Sequence, residues 1–259
     1  MFPSRIVCLS GEAADICIRL GAGDRVVGVS AFAPKVIRSG RKIVGGFSTL
    51  KREELLDLAP DLVITFSDVQ ADISSELIRN HCTVLATNQR SLRQISEAIL
   101  LIGRIIGCHS QAEILAAQFE NRLGQMRFAP DPRPRVYFEE WDAPMVSGIG
   151  WISESIEWVG GKDICFRPEA KASQQRCVES SSVCNAQPEI IFACWCGKPV
   201  DVASIANRPG WEAIPAIRNG HIHVLDAENI LQPGPRVLNG IQQMRELIER
   251  WACGTGQRD

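Results

Sequence analysis

The sequence predicts an α/β protein made of one α/β lobe, a long helix and a second α/β lobe. Three observations carry this reading. Through the first ninety residues, short β-rich runs alternate with helix-patterned segments, the arrangement that yields a parallel sheet covered on both faces. A helical periodicity then persists from about Leu92 to Met126. Beyond Asp131-Pro132-Arg133-Pro134 the alternation of strand and helix resumes.

The elements follow in order. Arg5–Leu9 reads as the first strand, and Ser10-Gly11-Glu12 starts a helix running to Leu20. Arg25–Val29 is the next β-rich run. Leu50–Ala59 is helical and stops at Ala59-Pro60-Asp61, ahead of the strand Leu62-Val63-Ile64-Thr65-Phe66. Ile73–Asn80 is helical and Thr83-Val84-Leu85 a strand. Leu92, Ile95, Ile99, Ile102, Ile105 and Ile106, then Ala112, Leu115, Ala116 and Phe119, mark the long helix. Gly107-Cys108-His109-Ser110 is where it can divide in two. In the second lobe Arg135–Phe138, Glu189–Ala193 and His221–Leu225 read as strands, and Trp151–Val159 and Gly234–Trp251 as helices. The expected organisation is a lobe over 1–90, a connecting helix over 91–130 and a second lobe over 131–259.

Composition narrows the function. A chain of 259 residues that is 45% hydrophobic buries a full core without disulfide staples. Its net charge is -2 and it has no long Lys/Arg run, which argues against nucleic acid and against a polybasic membrane anchor. No apolar run is long enough to span a bilayer, and MFPSRIVCLSGEAAD lacks the charged and apolar regions of an export signal. The expected location is cytoplasmic, or periplasmic if a native signal peptide precedes this sequence. Of ten cysteines, Cys8, Cys17, Cys82, Cys108 and Cys253 are scattered, as buried core thiols are. Cys165, Cys177, Cys184, Cys194 and Cys196 crowd one stretch.

Three motifs carry a family resemblance. GGFSTLKREELLDLAPDLVITF, VGGKDICF and RPGWEAIPAIRNGHIHVLD resemble, in order, segments of the helical-backbone (class III) substrate-binding proteins of ABC importers. FEEWDAPMVSGIGWISESIEWVGG, CWCGKP and ILQPGP resemble a cobalamin-binding-protein-like subgroup. The resemblance implies two Rossmann-like lobes joined by one rigid helix, with a cobalamin, haem or siderophore-type ligand held in a cleft between them. It also places Glu54 and Glu212 near positions that dock on a permease. Ordinary solvated helix faces account for both acids, so docking is not what the sequence favours.

In open α/β sheets ligands bind beyond the carboxyl ends of the strands. That rule and the family layout select Ser10, Glu12, Phe47, Phe66, Glu140, Trp141, Trp151, Trp195 and Gln232 as ligand-binding candidates. A flat macrocycle binds by burying its faces against aromatic rings, and Trp195, bracketed by Cys194 and Cys196 ahead of Gly197, is the favoured indole. Cys194 and Cys196 leave an extended segment on the same face. With Cys165 and Cys177, and Cys184 as a substitute, they form a candidate thiolate set for a metal centre, a 4Fe–4S cluster ahead of zinc because no His joins them. The spacing matches no standard ferredoxin or zinc-ribbon pattern. Glu139 and Glu140 point to opposite faces of a strand and make no acid/base dyad. His221 and His223 read as solvated edge-strand residues, and Gly148-Ile149-Gly150 is too short for a dinucleotide fingerprint.

The leading expectation is a cytoplasmic sensor or carrier that binds cobalamin or a related tetrapyrrole, with a cysteine-ligated cluster. Behind it stand a periplasmic importer subunit and then an Fe–S or corrinoid-dependent redox enzyme, for which no general base is evident.

Overall fold

The computed structural model describes residues 2–167, 169–170 and 172–255, so the end of the expected second lobe, 256–259, lies outside the described residues. The chain forms two compact units. The first takes residues up to 89, 93–121 and 232–236, and the second takes 90–92, 122–231 and the chain from 237 on.

The first unit contains β1 (Ile6–Cys8), α1 (Gly11–Arg19), β2 (Val26–Ser30), α2 (Lys35–Arg38), β3 (Lys42–Gly45), α3 (Arg52–Leu56), β4 (Leu62–Phe66), α4 (Ala71–Arg79) and β5 (Val84–Thr87). Its five strands are parallel, in the order β3-β2-β1-β4-β5. β1 and β4 are buried along their whole length, as central strands covered on both faces must be. Val7, Leu9, Val44, Leu55, Val63, Ile73 and Leu77 form one core of this unit. The strand order reverses direction between β1 and β4, which makes the carboxyl ends of these two strands the switch point where such sheets bind ligands.

The stretch expected as one connecting helix is two, α5 (Leu92–Ile105) and α6 (His109–Gln125). Gly107 stands at φ 73, a conformation glycine adopts without penalty, and it ends α5. The amide of Cys108 donates back to the Gly103 carbonyl at 2.7 Å. Gly103 lies where the two helices pack. It admits Ala112 of α6, whose Cβ would lie 2.2 Å from any Cβ at position 103.

The second unit contains β6 (Arg135–Asp142), β7 (Met145–Ser147), α7 (Gly150–Trp158), β8 (Lys162–Asp163), α8 (Ser180–Ala186), β9 (Ile190–Ala193), α9 (Val202–Ala206), α10 (Pro215–Arg218), β10 (Ile222–Val224), α11 (Ala227–Ile230) and α12 (Val237–Thr255). β6, β9 and β10 run parallel, while β7 returns antiparallel along the outer half of β6 and β8 pairs its first residues. Tyr137, Ile191, Trp195, Ile205, Trp211 and Ile214 belong to its core, with Tyr137 and Trp211 edge-to-face at 5.9 Å. No helix of the described residues is long and apolar enough to cross a membrane.

Candidate functional site

In the first unit the strand ends are tied together by a residue the sequence did not single out. Gln70, 2% exposed, donates through Nε2 to the carbonyls of Leu9 (3.0 Å) and Phe47 (3.1 Å) and accepts from the Phe66 amide (2.9 Å). One carboxamide thereby fixes the chain leaving β1, the loop after β3 and the end of β4. Phe66 itself is buried and belongs to the packing, not to a ligand surface. Phe47 is 44% exposed and meets Phe32, 42% exposed at the end of β2, edge-on at 6.2 Å. An exposed aromatic pair beside a switch point offers flat apolar area to a ligand. Phe32 was missed because the run after β2 carries no other site-like residue.

Ser10, Glu12 and Gln232 are also in this unit. Ser10 and Glu12 are buried at the start of α1, and burial pushes the Glu12 carboxyl up to about 7. Gln232 donates to the Phe32 carbonyl at 2.6 Å, with its carboxamide lying on Gly11.

In the second unit β6 ends in Glu139-Glu140-Trp141-Asp142, and its register against β7 shifts between Glu139 and Trp141. The shift breaks the simple alternation and re-aims the side chains that follow. Glu139 is wholly buried and accepts from Arg208 Nη1 (2.7 Å) and Nη2 (3.2 Å), Trp195 Nε1 (3.2 Å) and the Tyr137 hydroxyl (3.2 Å). Glu140 takes a bidentate contact from Arg176 at 2.7 and 3.0 Å, and Arg176 donates as well to the Ser147 carbonyl. Asp142 pairs with Lys198 at 2.7 Å, and the Lys198 ammonium lies 4.2 Å from the Trp141 ring centroid and 4.7 Å from that of Trp195. Lys198, Arg176 and Arg208 were not singled out in the sequence. They lie 56, 36 and 69 residues from their acidic partners, and nothing local links them.

Two of the three candidate tryptophans are core. Trp195 is 4% exposed, its indole N–H committed to Glu139. Trp151 is 3% exposed and donates to the Ile230 carbonyl at 2.9 Å. Trp141 alone of the three is part-exposed at a strand end.

The expected thiol centre is not assembled. Among the described residues no three His, Cys, Asp or Glu side chains converge on a point a metal could occupy. Burial pushes both Cys165 and Cys194 up to about 12. Cys196 is raised by burial and then by Glu140, which also raises Cys194. Cluster and zinc ligands are thiolates, so these surroundings oppose ligation. Cys177 is exposed with its thiol toward the Ser173 carbonyl, and the Cys184 thiol faces the Gly210 carbonyl at 3.3 Å. Glu54 is salt-bridged to Lys42 (2.7 Å) and Lys51 (3.2 Å), and the hydrogen bond from Lys42 is the leading cause that lowers its pKa.

Two α/β units, each with a part-exposed aromatic side chain at its strand ends, are the architecture of a solute-binding protein. The chain belongs to the periplasmic binding protein family, whose model matches residues 6–229. A Bacillus subtilis (strain 168) protein described as an uncharacterized ABC transporter substrate-binding lipoprotein, YvrC, is 24% identical, over 95% of this chain and 80% of its own length. The vitamin B12-binding protein of Vibrio parahaemolyticus (serotype O3:K6) is 24% identical, over 95% of this chain and 89% of its own. The periplasmic haem-binding protein RhuT from Roseiflexus sp. RS-1 superposes with a TM-score of 0.82 at 24% identity, covering 96% of this chain and 99% of its own. The α/β two-lobe fold read from the sequence is the fold of this family.

Proposed function

We propose that this protein is the substrate-binding subunit of an ABC importer, and that its ligand is cobalamin or a related tetrapyrrole. The observation that carries the reading is the part-exposed aromatic surface at the carboxyl ends of both sheets. Phe32 and Phe47 supply it in the first unit and Trp141, under Lys198, in the second. Rings held at strand ends by buried polar pins suit a large flat ligand that needs area more than ionic contacts. The names of the B12-binding and haem-binding relatives support the same ligand class.

This is the importer alternative of the sequence reading, preferred over the cytoplasmic sensor with an Fe–S centre. An ABC permease is accordingly proposed as partner, although the sequence did not favour docking, and the compartment that goes with it is extracytoplasmic. The test is titration of the purified protein with cobalamin, cobinamide and haemin, followed by tryptophan fluorescence. All six tryptophans lie in the second unit, so quenching reports on that surface directly. Saturable binding in the micromolar range or tighter is the expected result. No saturable binding of any of the three would refute the reading.

A further inference from the structure

The Gln232-Pro233-Gly234 segment lies as a strap on the strand-end face of the first unit. Gln89 Nε2 donates to the Pro233 carbonyl at 3.0 Å, and Gln232 Nε2 donates to the Phe32 carbonyl at 2.6 Å. Gly234 rests on Glu12, whose Cβ would stand 2.6 Å from any Cβ at 234, and the Gln232 carboxamide occupies the space a side chain at Gly11 would need. Four contacts thus bring residues 11, 12, 32 and 89 to one three-residue segment.

The polar atoms left over do not balance. Ser10 Oγ, Glu12 Oε1, Gln89 Oε1 and Gln232 Oε1 are all buried without a hydrogen-bond partner of good geometry. Both glutamine orientations are fixed, because each Nε2 faces a backbone carbonyl, so their oxygens cannot be exchanged for donors. An ionised Glu12 would add only acceptors, and buried acceptors without donors are costly. The Ser10 hydroxyl is the one donor for the oxygens of Glu12, Gln89 and Gln232, and a protonated Glu12 supplies a second.

We propose that Glu12 is a positioning residue that works as the neutral acid. Its O–H donates into this cluster and holds the Gln232-Pro233-Gly234 strap, and with it Gln232 and Phe32, in the ligand-competent arrangement. This rests on the importer reading for its ligand, while the protonation itself does not. The titratable and charged groups around Glu12 are few. Asp15, one turn along α1, is occupied by Arg19 (2.7 Å) and by Arg236 at the end of the strap (3.3 Å). The thiols of Cys8 on β1 and Cys17 on α1 are buried nearby, and Cys8 is raised first by its hydrogen bond with Cys17 and by burial, with Glu12 a smaller cause. The position at a helix N-terminus and the neighbouring Ser10 hydroxyl favour the anion, but burial outweighs them.

The experiment has two readouts on the whole protein. Infrared difference spectra between about pH 6 and about pH 8 look for the carbonyl band of a buried protonated carboxyl. Wild type is expected to show the band and Glu12→Gln to lack it. Cobalamin titrations over the same range are expected to show wild-type affinity falling roughly tenfold as pH rises. Glu12→Gln, permanently neutral and carrying its own donor, is expected to keep the low-pH affinity throughout. A wild type without the band overturns the inference whether or not any ligand binds. An unchanged pH profile in Glu12→Gln overturns it too. A band present with no macrocycle bound overturns the importer reading and the positioning role and leaves only the protonation standing.

Discussion

Replacing Arg208 by Met tests whether the second unit's strand-end surface hangs on one buried ion pair. Glu139 is wholly buried, and the Arg208 side chain is 15% exposed, so neither charge is much screened by water. Removing one partner of a buried pair typically costs about 3–5 kcal/mol, because the surviving charge is left uncompensated. Here Tyr137 and Trp195 still donate to Glu139, each worth about 1 kcal/mol, which places the expected loss near the lower end, about 3 kcal/mol. Met keeps the length of the arginine stem, so packing against Trp211, now stacked 4.4 Å from the guanidinium, is largely preserved. At roughly 2–4 °C per kcal/mol for a domain of this size, the melting temperature should fall by about 6–12 °C. Tryptophan fluorescence is the assay of choice, since every tryptophan lies in this unit. The double variant Glu139→Gln/Arg208→Met should recover most of the loss. A loss below about 1 kcal/mol, or a double variant no better than the single, would refute the argument.

Trp141→Ala should weaken cobalamin binding about tenfold with little change in stability, whereas Trp151→Ala should cost about 3–5 kcal/mol of stability, and equal effects at the two positions would contradict the division between surface and core. Anaerobic reconstitution with iron and sulfide should leave no stoichiometric cluster, and Cys165 and Cys194 should react with thiol reagents at neutral pH more slowly than Cys177. Acid-labile sulfide retained on the wild type and lost in Cys194→Ala would reverse that conclusion. Glu12 is raised from 4.5 to about 7, so the folded state holds its proton where the unfolded chain has lost it. Stability should therefore fall as pH rises between these values, by at most about 3 kcal/mol, and urea midpoints that are flat across that range, or that fall equally in Glu12→Gln, would contradict this.

How much was legible depended on whether the signal was local. β4 announces itself as Leu62-Val63-Ile64-Thr65-Phe66, a continuous apolar run between turn residues, because a strand buried on both faces needs no alternation. β3, β7 and β8 were missed, since strands of two to four residues such as Lys42–Gly45 and Lys162–Asp163 are defined by their neighbours more than by themselves. At the site, position relative to strand ends was readable but direction was not. Trp195 follows β9 and Trp141 lies in the last residues of β6, yet one enters the core and the other stays part-exposed. The register shift in β6 that separates Glu139 from Trp141 has no sequence mark. The same limit misled the reading of Cys194 and Cys196. Beyond Ala193 the chain leaves the strand and turns at Gly197 (φ 80), so two thiols expected on one face find a buried and a half-buried setting instead.

The arrangement of charge on β6 carries an argument about ligand chemistry. Three acidic residues within four positions, Glu139, Glu140 and Asp142, each have their own cation, Arg208, Arg176 and Lys198, drawn from three separate segments. Charges already neutralised within the protein need not be desolvated against the ligand, and they leave little net field at the surface where Trp141 is part-exposed. Such a surface gains little from an anionic or cationic solute, which would have to break an existing pair to find a partner. It gains most from a large solute that is neutral over the buried face and offers area to an indole. An amide-substituted macrocycle meets that description better than a free dicarboxylate one. Binding should accordingly depend little on ionic strength for cobinamide and more strongly for haemin, whose carboxylates would have to compete with Asp142 for Lys198.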